Sequence, residues 1–330
     1  MKVGVIGAGS WGTALAKVAA LNGHQTVLWG RSARTISEIR NEHRNTRYLP
    51  ATELPESLDA VTDIAHCLEG ASLVVLATPS KTIRAMTEQI APYVDRNTSL
   101  VCVAKGIELE TGMLMSEIVE EALSLSAVAG FSGPTLAHEV ANERPAAIVA
   151  ASRLPEISGL VQKIFHRPAF RVYTSDDLTG VELGGALKNV IAIAAGACDG
   201  FGFGVNTKAA LVTRGIAEIS RLGVERGAQE KTFSGLSGLG DLMLTCFAET
   251  SRNRSFGQYL GSGLSLERAL TERNVTIEGY PNAASARKLA QQANIVTPII
   301  EEVYQVLYKQ KDIREAVNAL LMRDARSETD

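Results

Sequence analysis

Lys188 stands in Glu182-Leu183-Gly184-Gly185-Ala186-Leu187-Lys188-Asn189, a lysine within an otherwise apolar helical stretch. Gly184 and Gly185 fall one turn before it and Ala192 one turn after it, so small residues line its helical face. A lysine in such surroundings must find a partner or lose proton affinity. It can then deliver a proton or stabilise an oxyanion; the alternative is a lysine that snorkels to solvent over a glycine-faced helix contact. A second segment is Ser237-Gly238-Leu239-Gly240-Asp241-Leu242-Met243-Leu244-Thr245. Asp241 and Thr245 are four apart and share a helix face, although Asp241 could equally serve as a helix N-cap. The third is Ser251-Arg252-Asn253-Arg254. Its charged fork and amide suit a phosphate or carboxylate; in isolation it reads as a solvated basic turn.

A different chemistry is written at the start of the chain. Gly7-Ala8-Gly9-Ser10-Trp11-Gly12 follows the apolar run Val3-Gly4-Val5-Ile6 and precedes a helix over Thr13–Leu21. A strand running into a glycine turn and then a helix is the order that pyrophosphate binding needs. Gly7 permits the tight turn, Gly9 the approach of phosphate, and Gly12 the packing of helix on strand. A second strand, Thr26–Trp29, ends at Gly30-Arg31-Ser32-Ala33-Arg34. NAD-preferring folds place an acid there for the ribose 2′-OH; this chain has none. Arg31 can face a 2′-phosphate or stack on adenine.

The elements that must position these groups change character along the chain. Further strands are expected at 58–61, 73–77, 100–104, 127–130, 146–149 and 170–173, with helices between them. That alternation indicates an α/β fold with a mostly parallel, doubly wound Rossmann-type sheet over residues 1–178. Pro79, Lys105 and Gly133 each follow a strand end and should collect on one edge with the glycine turn. Residues 179–330 read as all-helical, with helices over 181–197, 207–222, 264–270, 281–293 and 298–309. Ala325–Asp330 is polar and expected to fray.

Composition excludes several classes. The 330 residues carry 33 basic and 36 acidic side chains, for a net charge of −3. That balance argues against nucleic acid or an anionic membrane as main partner. Cys67, Cys102, Cys198 and Cys246 are far apart, form no CxxC pair and lack a histidine cluster. No metal site or disulfide framework is expected, and a reducing cytoplasm fits. The first strand begins at about Lys2, leaving no room for a signal peptide. The apolar stretch Val181–Ala197 contains Glu182 and Lys188 and reads as a buried helix, so no stable membrane insertion is expected.

Taken together, the motifs resemble the NAD(P)-dependent glycerol-3-phosphate dehydrogenases of the bacterial biosynthetic type. The resemblance spans nearly the whole chain. It rests on the Gly7–Gly12 turn, Lys105-Gly106-Ile107-Glu108, Gly133-Pro134-Thr135-Leu136-Ala137, the run ending in Lys188-Asn189, Gly238-Leu239-Gly240-Asp241, Ser251-Arg252-Asn253 and Ile277-Glu278-Gly279. It implies reversible reduction of dihydroxyacetone phosphate to sn-glycerol 3-phosphate with NADPH or NADH, feeding phospholipid synthesis. Lys188 is then the proton donor and acceptor, with Lys105 and Asp241 beside it. Gly133, Thr135, Asn189, Thr245, Ser251, Arg252 and Asn253 complete the substrate pocket. Gly7, Gly9, Ser10, Trp11, Gly12, Arg31, Arg34, Lys105, Ala137, Arg252, Thr276 and Glu278 would contact the cofactor. A homodimer is also implied.

Two residues depart from the family's usual pattern, Ala104 where serine is common and Thr276 where valine is common. Neither touches a charged catalytic group. Lys105 would depress the pKa of Lys188 by repulsion and Asp241 would raise it, and the sequence leaves the winner open. His138 follows the sixth strand's loop but reads as a helix start rather than a base. The competing classes are a 3-hydroxyacid or 6-phosphogluconate-type dehydrogenase and a non-catalytic dinucleotide sensor. The Asp241 and Ser251–Asn253 segments argue against the first, and the retained lysines against the second.

Overall fold

Eight short strands form one sheet whose central strands are apolar on both faces, the pattern of a sheet covered by helices on each side, while the edge strand over Phe170–Ser175 alternates buried and exposed residues. The computed structural model describes residues 1–125, 127–271, 276–325 and 327. In chain order the strands are β1 (Lys2–Ile6), β2 (Gln25–Trp29), β3 (Arg44–Asn45), β4 (Leu49–Glu53), β5 (Leu58–Val61), β6 (Leu73–Leu76), β7 (Ser99–Cys102), β8 (Val128–Ser132), β9 (Ala146–Ala151) and β10 (Phe170–Ser175). The helices that alternate with them are α1 (Ser10–Leu21), α2 (Ala33–Glu42), α3 (Ile64–Leu68), α4 (Ile83–Ile90), α5 (Met115–Leu123), α6 (Ala137–Ala141) and α7 (Pro155–Phe165). The remainder is helical among the described residues: α8 (Leu178–Gly200), α9 (Val205–Glu225), α10 (Glu230–Phe233), α11 (Asp241–Phe247), α12 (Arg252–Gly261), α13 (Leu266–Thr271), α14 (Gly279–Gln292), α15 (Pro298–Lys309) and α16 (Ile313–Leu321). Of the expected frayed end, Arg326 and Glu328–Asp330 lie outside the described residues.

The sheet order is β10-β9-β8-β7-β6-β1-β2-β5. From β1 the sheet grows one way through β2 to β5 and, from β6 onward, the other way, so a crevice opens between β1 and β6 at their carboxyl ends. The glycine turn leaves β1 into that crevice. All neighbours are parallel except β8 and β9, which pair antiparallel, Phe131 opposite Ala150. The sheet is thus mostly parallel as expected, with one reversal that the apolar run 146–149 did not signal. A separate antiparallel pair, β3 with β4, was also not expected; it is short, and Pro50 interrupts any strand pattern.

α8 is mostly apolar and buried on every face, with Glu182, Lys188 and Asn189 among its buried residues. It is long and apolar enough to cross a membrane, yet 94% of its most apolar window is packed inside the protein. Its deepest contact is with α12. Gly196 and Gly200 on α8 face Gly257 and Gly261 on α12, each pair spaced by four. A methyl group on Gly196 would lie 1.8 Å from Arg254 O, and one on Gly257 would lie 1.9 Å from Ile193 O. The two backbones touch, and nothing larger than hydrogen fits between them.

This contact makes a paired prediction. Gly257→Ala forces the helices apart and should cost about 1–3 kcal/mol or more by overpacking. Gly159→Ala, in α7 with open space around its added methyl, should gain about 0.5–1 kcal/mol from helix propensity. Urea unfolding of the two variants beside the parent checks both signs.

Candidate active site

Asp241 is the meeting point. It opens α11 directly after a π-helical turn over Leu236–Gly240, and its side chain is 1% exposed. It is not a helix N-cap, because its oxygens are taken elsewhere. Lys188 Nζ donates to Oδ1, and Lys105 Nζ donates to Oδ2 at 2.6 Å. Lys188 also donates to Thr245 Oγ1 at 2.7 Å, and that hydroxyl donates to Asp241 O at 2.7 Å. The expected Asp241–Thr245 face therefore exists and is turned on Lys188. Lys105 reaches Gly133 O at 3.3 Å, joining the β7 and β8 loops. Thr135 Oγ1 donates to the same carbonyl at 3.2 Å.

Lys188 does not snorkel; it is 6% exposed. Burial draws its pKa down to about 8, the Asp241 carboxylate opposes that shift, and the Lys105 charge adds to it. Desolvation and like-charge repulsion together outweigh the ion pair. The small residues predicted around Lys188 each have a neighbour. A methyl on Gly184 would meet Ser237 O at 2.6 Å, and one on Gly185 would meet Ser132 Oγ at 2.6 Å with the Lys105 stem beyond.

Ser251, Arg252 and Asn253 are not a turn but the start of α12. Ser251 caps the helix, accepting from Arg254 N at 3.3 Å. Asn253 is buried; its Nδ2 donates to Asn189 Oδ1 at 2.9 Å, and its Oδ1 accepts from Gly279 N at 2.9 Å. Glu278 accepts from Ser80 Oγ at 2.6 Å, so the β6 loop and the start of α14 also meet. Arg252, Arg31, Arg34 and Thr276 are exposed, and no ion pair joins them to these clusters among the described residues. Ala137 and His138 begin α6, as the helix-start reading of His138 anticipated.

The turn after β1 fits a dinucleotide. Gly7 has φ +124°, and a methyl there would strike Ala77 O at 2.7 Å. On Gly12 it would strike Gly7 O at 1.9 Å, whereas on Gly9 it would meet nothing within 4 Å. Gly9 therefore leaves open space at the N-terminus of α1, which has no side-chain cap and no acid in its first turn. Beside the turn, Thr78 Oγ1 is buried without a hydrogen-bond partner. Ser10 Oγ donates to Tyr48 O at 3.1 Å, and the Trp11 ring packs edge-on against Phe170 at 6.4 Å, facing the core. Ser32 at the end of β2 is spent capping α2 through Thr35 N.

Two asparagines escaped the sequence reading. Asn45 Nδ2 donates to Ala8 O at 3.1 Å and to Thr13 Oγ1 at 2.9 Å, bracing the glycine turn from β3. Asn282 Nδ2 donates to Lys105 O at 3.3 Å and Ala186 O at 3.0 Å, tying the lysine's loop to α8 from α14. A lone asparagine carries no spacing signal. The four cysteines are free and buried, and no group that could hold a metal occurs among the described residues.

A dinucleotide turn on a doubly wound sheet, facing a buried carboxylate with two lysines, defines a dinucleotide-dependent oxidoreductase. Comparison with known proteins narrows that class. Residues 2–158 match the N-terminal family of NAD-dependent glycerol-3-phosphate dehydrogenase, and residues 177–318 match its C-terminal family. A glycerol-3-phosphate dehydrogenase [NAD(P)+] of Anaeromyxobacter dehalogenans is 48% identical over 99% of this chain and 100% of that protein. One of Syntrophotalea carbinolica is 48% identical over 100% of both chains. The crystal structure of glycerol-3-phosphate dehydrogenase from Coxiella burnetii superposes with a TM-score of 0.93 at 39% identity, covering 98% of this chain and 99% of that one. A ketopantoate reductase from Ralstonia eutropha shares the fold at a TM-score of 0.63 and 16% identity. The chain belongs to the NAD-dependent glycerol-3-phosphate dehydrogenase family. It is an oxidoreductase that uses NAD or NADP.

The geometry predicts how the lysine responds to its partner. Asp241→Asn removes the one charge that raises the Lys188 pKa, while burial and Lys105 remain. The pKa should fall below about 8. Nitrogen NMR titration of Lys188 in parent and variant measures the shift, and a rise would contradict the charge balance described.

Proposed function

We propose that this chain reduces dihydroxyacetone phosphate to sn-glycerol 3-phosphate, reversibly, with Lys188 as the proton donor. The observation that carries this reading is the buried Lys188 held by Asp241 and Thr245 beside Lys105. In this reading residues 1–178 form the dinucleotide-binding domain and residues 179–330 the helical domain that carries Lys188, with each lending a few residues to the other's ligand. Gly7, Gly9, Ser10, Trp11 and Gly12 hold the pyrophosphate through backbone groups. Arg31 and Arg34 face the adenosine ribose, and Ala137, Thr276 and Glu278 lie along the rest of the dinucleotide.

When bound, the reduced dinucleotide supplies the hydride that C2 of the ketone receives. Negative charge then builds on the C2 oxygen. Lys188 as ammonium stabilises that oxygen and gives it the proton, and Lys105 adds a second positive charge. Asp241 and Thr245 aim Lys188. Arg252, with Ser251, Asn253 and Asn189 around it, holds the substrate's phosphate and so fixes C2. Gly133 and Thr135 close the pocket beside Lys105. The product feeds phospholipid synthesis, the site of action is the cytoplasm, and the working unit is a homodimer. Initial rates with NADPH and dihydroxyacetone phosphate, against 3-hydroxyacid-forming ketones and 6-phosphogluconate chemistry, test the substrate class directly.

The direction of catalysis should split with pH. Below about 8, Lys188 is an ammonium and can donate. Reduction should fall as pH rises through that value, and oxidation of glycerol 3-phosphate, which needs the free amine, should rise over the same range. Lys188→Ala should lose about 10²–10⁴-fold in kcat while retaining cofactor binding. Rate–pH profiles in both directions and cofactor fluorescence measure these effects.

The adenosine end offers its own measurement. Arg31 stands where an acid would repel a 2′-phosphate, so NADPH should serve at least as well as NADH. Arg31→Asp should move the ratio of kcat/KM values toward NADH. An unchanged ratio would remove Arg31 from the site.

A further inference from the structure

Away from Asp241, a second buried carboxylate also serves two cations. Asp199, near the end of α8, receives Lys208 Nζ of α9 on Oδ1 and Arg254 Nε of α12 on Oδ2, the latter at 2.6 Å. All three side chains are nearly buried, between 10% and 13% exposed. The ammonium of Lys208 also lies 5.2 Å from the ring centroid of Phe247, at the end of α11. Three helices therefore meet on one carboxylate, and a fourth, α11, touches the Lys208 ammonium through Phe247. Three of the four, α8, α11 and α12, carry Lys188, Asn189, Asp241, Thr245, Arg252 and Asn253. The clusters are neighbours: the Cys246 thiol, between Thr245 and Phe247, feels the charges of Lys188 and Asp241 and also those of Lys208 and Asp199.

The cluster acts on the first turn of α12. Arg254 follows Arg252 and Asn253 directly, and its amide is already committed to the Ser251 cap. Its carbonyl lies against Gly196. Asn253 is pinned to Asn189 and Gly279. The Arg254–Asp199 pair ties the turn to α8 through a side chain as well, leaving the exposed Arg252 beside anchored neighbours. A guanidinium that grips phosphate at two points works only from a backbone held to a fraction of an ångström. Without Asp199 the buried cations of Arg254 and Lys208 would repel each other with no compensating charge.

We propose that Asp199 is a positioning residue: by gathering Arg254 and Lys208 it fixes the start of α12 so that Arg252 meets the substrate's phosphate, and it thereby sets the preference for a phosphorylated ketone over the free one. This rests on the reading of Ser251–Asn253 as the phosphate grip. The readout is the ratio of kcat/KM for dihydroxyacetone phosphate to that for dihydroxyacetone, measured with NADPH on the full chain. Asp199→Asn keeps the shape and removes the charge; it should lower the ratio about tenfold, through KM for the phosphorylated ketone. Lys208→Met should lower it in the same sense, and Lys208→Arg should hold it within about threefold of the parent because the cation remains. A merely structural role would lower the melting temperature and weaken both substrates alike. If Asp199→Asn and Lys208→Met leave the ratio unchanged while Arg252→Ala lowers it, the positioning role is wrong and the grip stands. If Arg252→Ala also leaves it unchanged, the grip reading fails and the inference falls with it.

Discussion

One carboxylate ties the two halves of this protein together. Asp241 lies almost wholly out of water and carries a lysine on each oxygen, one from the sheet edge and one from the core helix. A buried carboxylate so placed cannot lose either cation cheaply. The loop after β7, the helix α8 and the helix α11 must therefore close on one point. The surrounding polar contacts serve that closure: Asn282 ties the Lys105 loop to α8, and Thr245 shares the lysine with its own helix. The same arrangement leaves Lys188 poised near neutrality, because the burial that excludes water also weakens its hold on the proton.

The glycine crossing of α8 and α12 performs a related task without charge. Backbone contact at Gly196 and Gly257 permits one interhelical distance only, since any side chain would separate the helices. Asn189 and Asn253, on these same two helices, can therefore join at 2.9 Å. Close packing here is a condition for the polar chemistry beside it.

Much of this was legible in the chain. The glycines at 7 and 12 carry distinct requirements that spacing alone reveals, a tight turn and a close helix–strand contact, and both are met, while Gly9 faces open space. Lys188, Asp241 and Thr245 were legible because a charged residue in an apolar helix must be paired, and two polar residues four apart on a helix share one face. The pairing of Lys105 with Asp241 spans 136 residues and has no local trace. Ser251–Asn253 reads as a turn because its polarity resembles one; the Ser251 cap is local, but the burial of Asn253 depends on Asn189 of α8 and Gly279 of α14, which sequence spacing cannot supply. Asn45, Asn282 and Asp199 were invisible for the same reason: each acts through a partner on a distant element. The β3–β4 pair is too short to show a period.

The reversal at β9 has a mechanical side. Because β9 and β10 run against β8, the chain leaves the sheet at the edge opposite the glycine turn and enters α8 there. The helix then climbs along β8, with Leu178 and Glu182 beside Gly130 and Gly185 beside Ser132 and the Lys105 stem. Lys188 is reached ten residues after Leu178, a height of about 15 Å at 1.5 Å per residue. α8 is thus a ruler laid on the sheet. Its zero mark is docked at the far edge, and the lysine is a graduation on it. The distance from sheet to Lys188 is set by counting helical residues rather than by a flexible connection, and one residue more or fewer would turn the lysine about 100° away from its carboxylate.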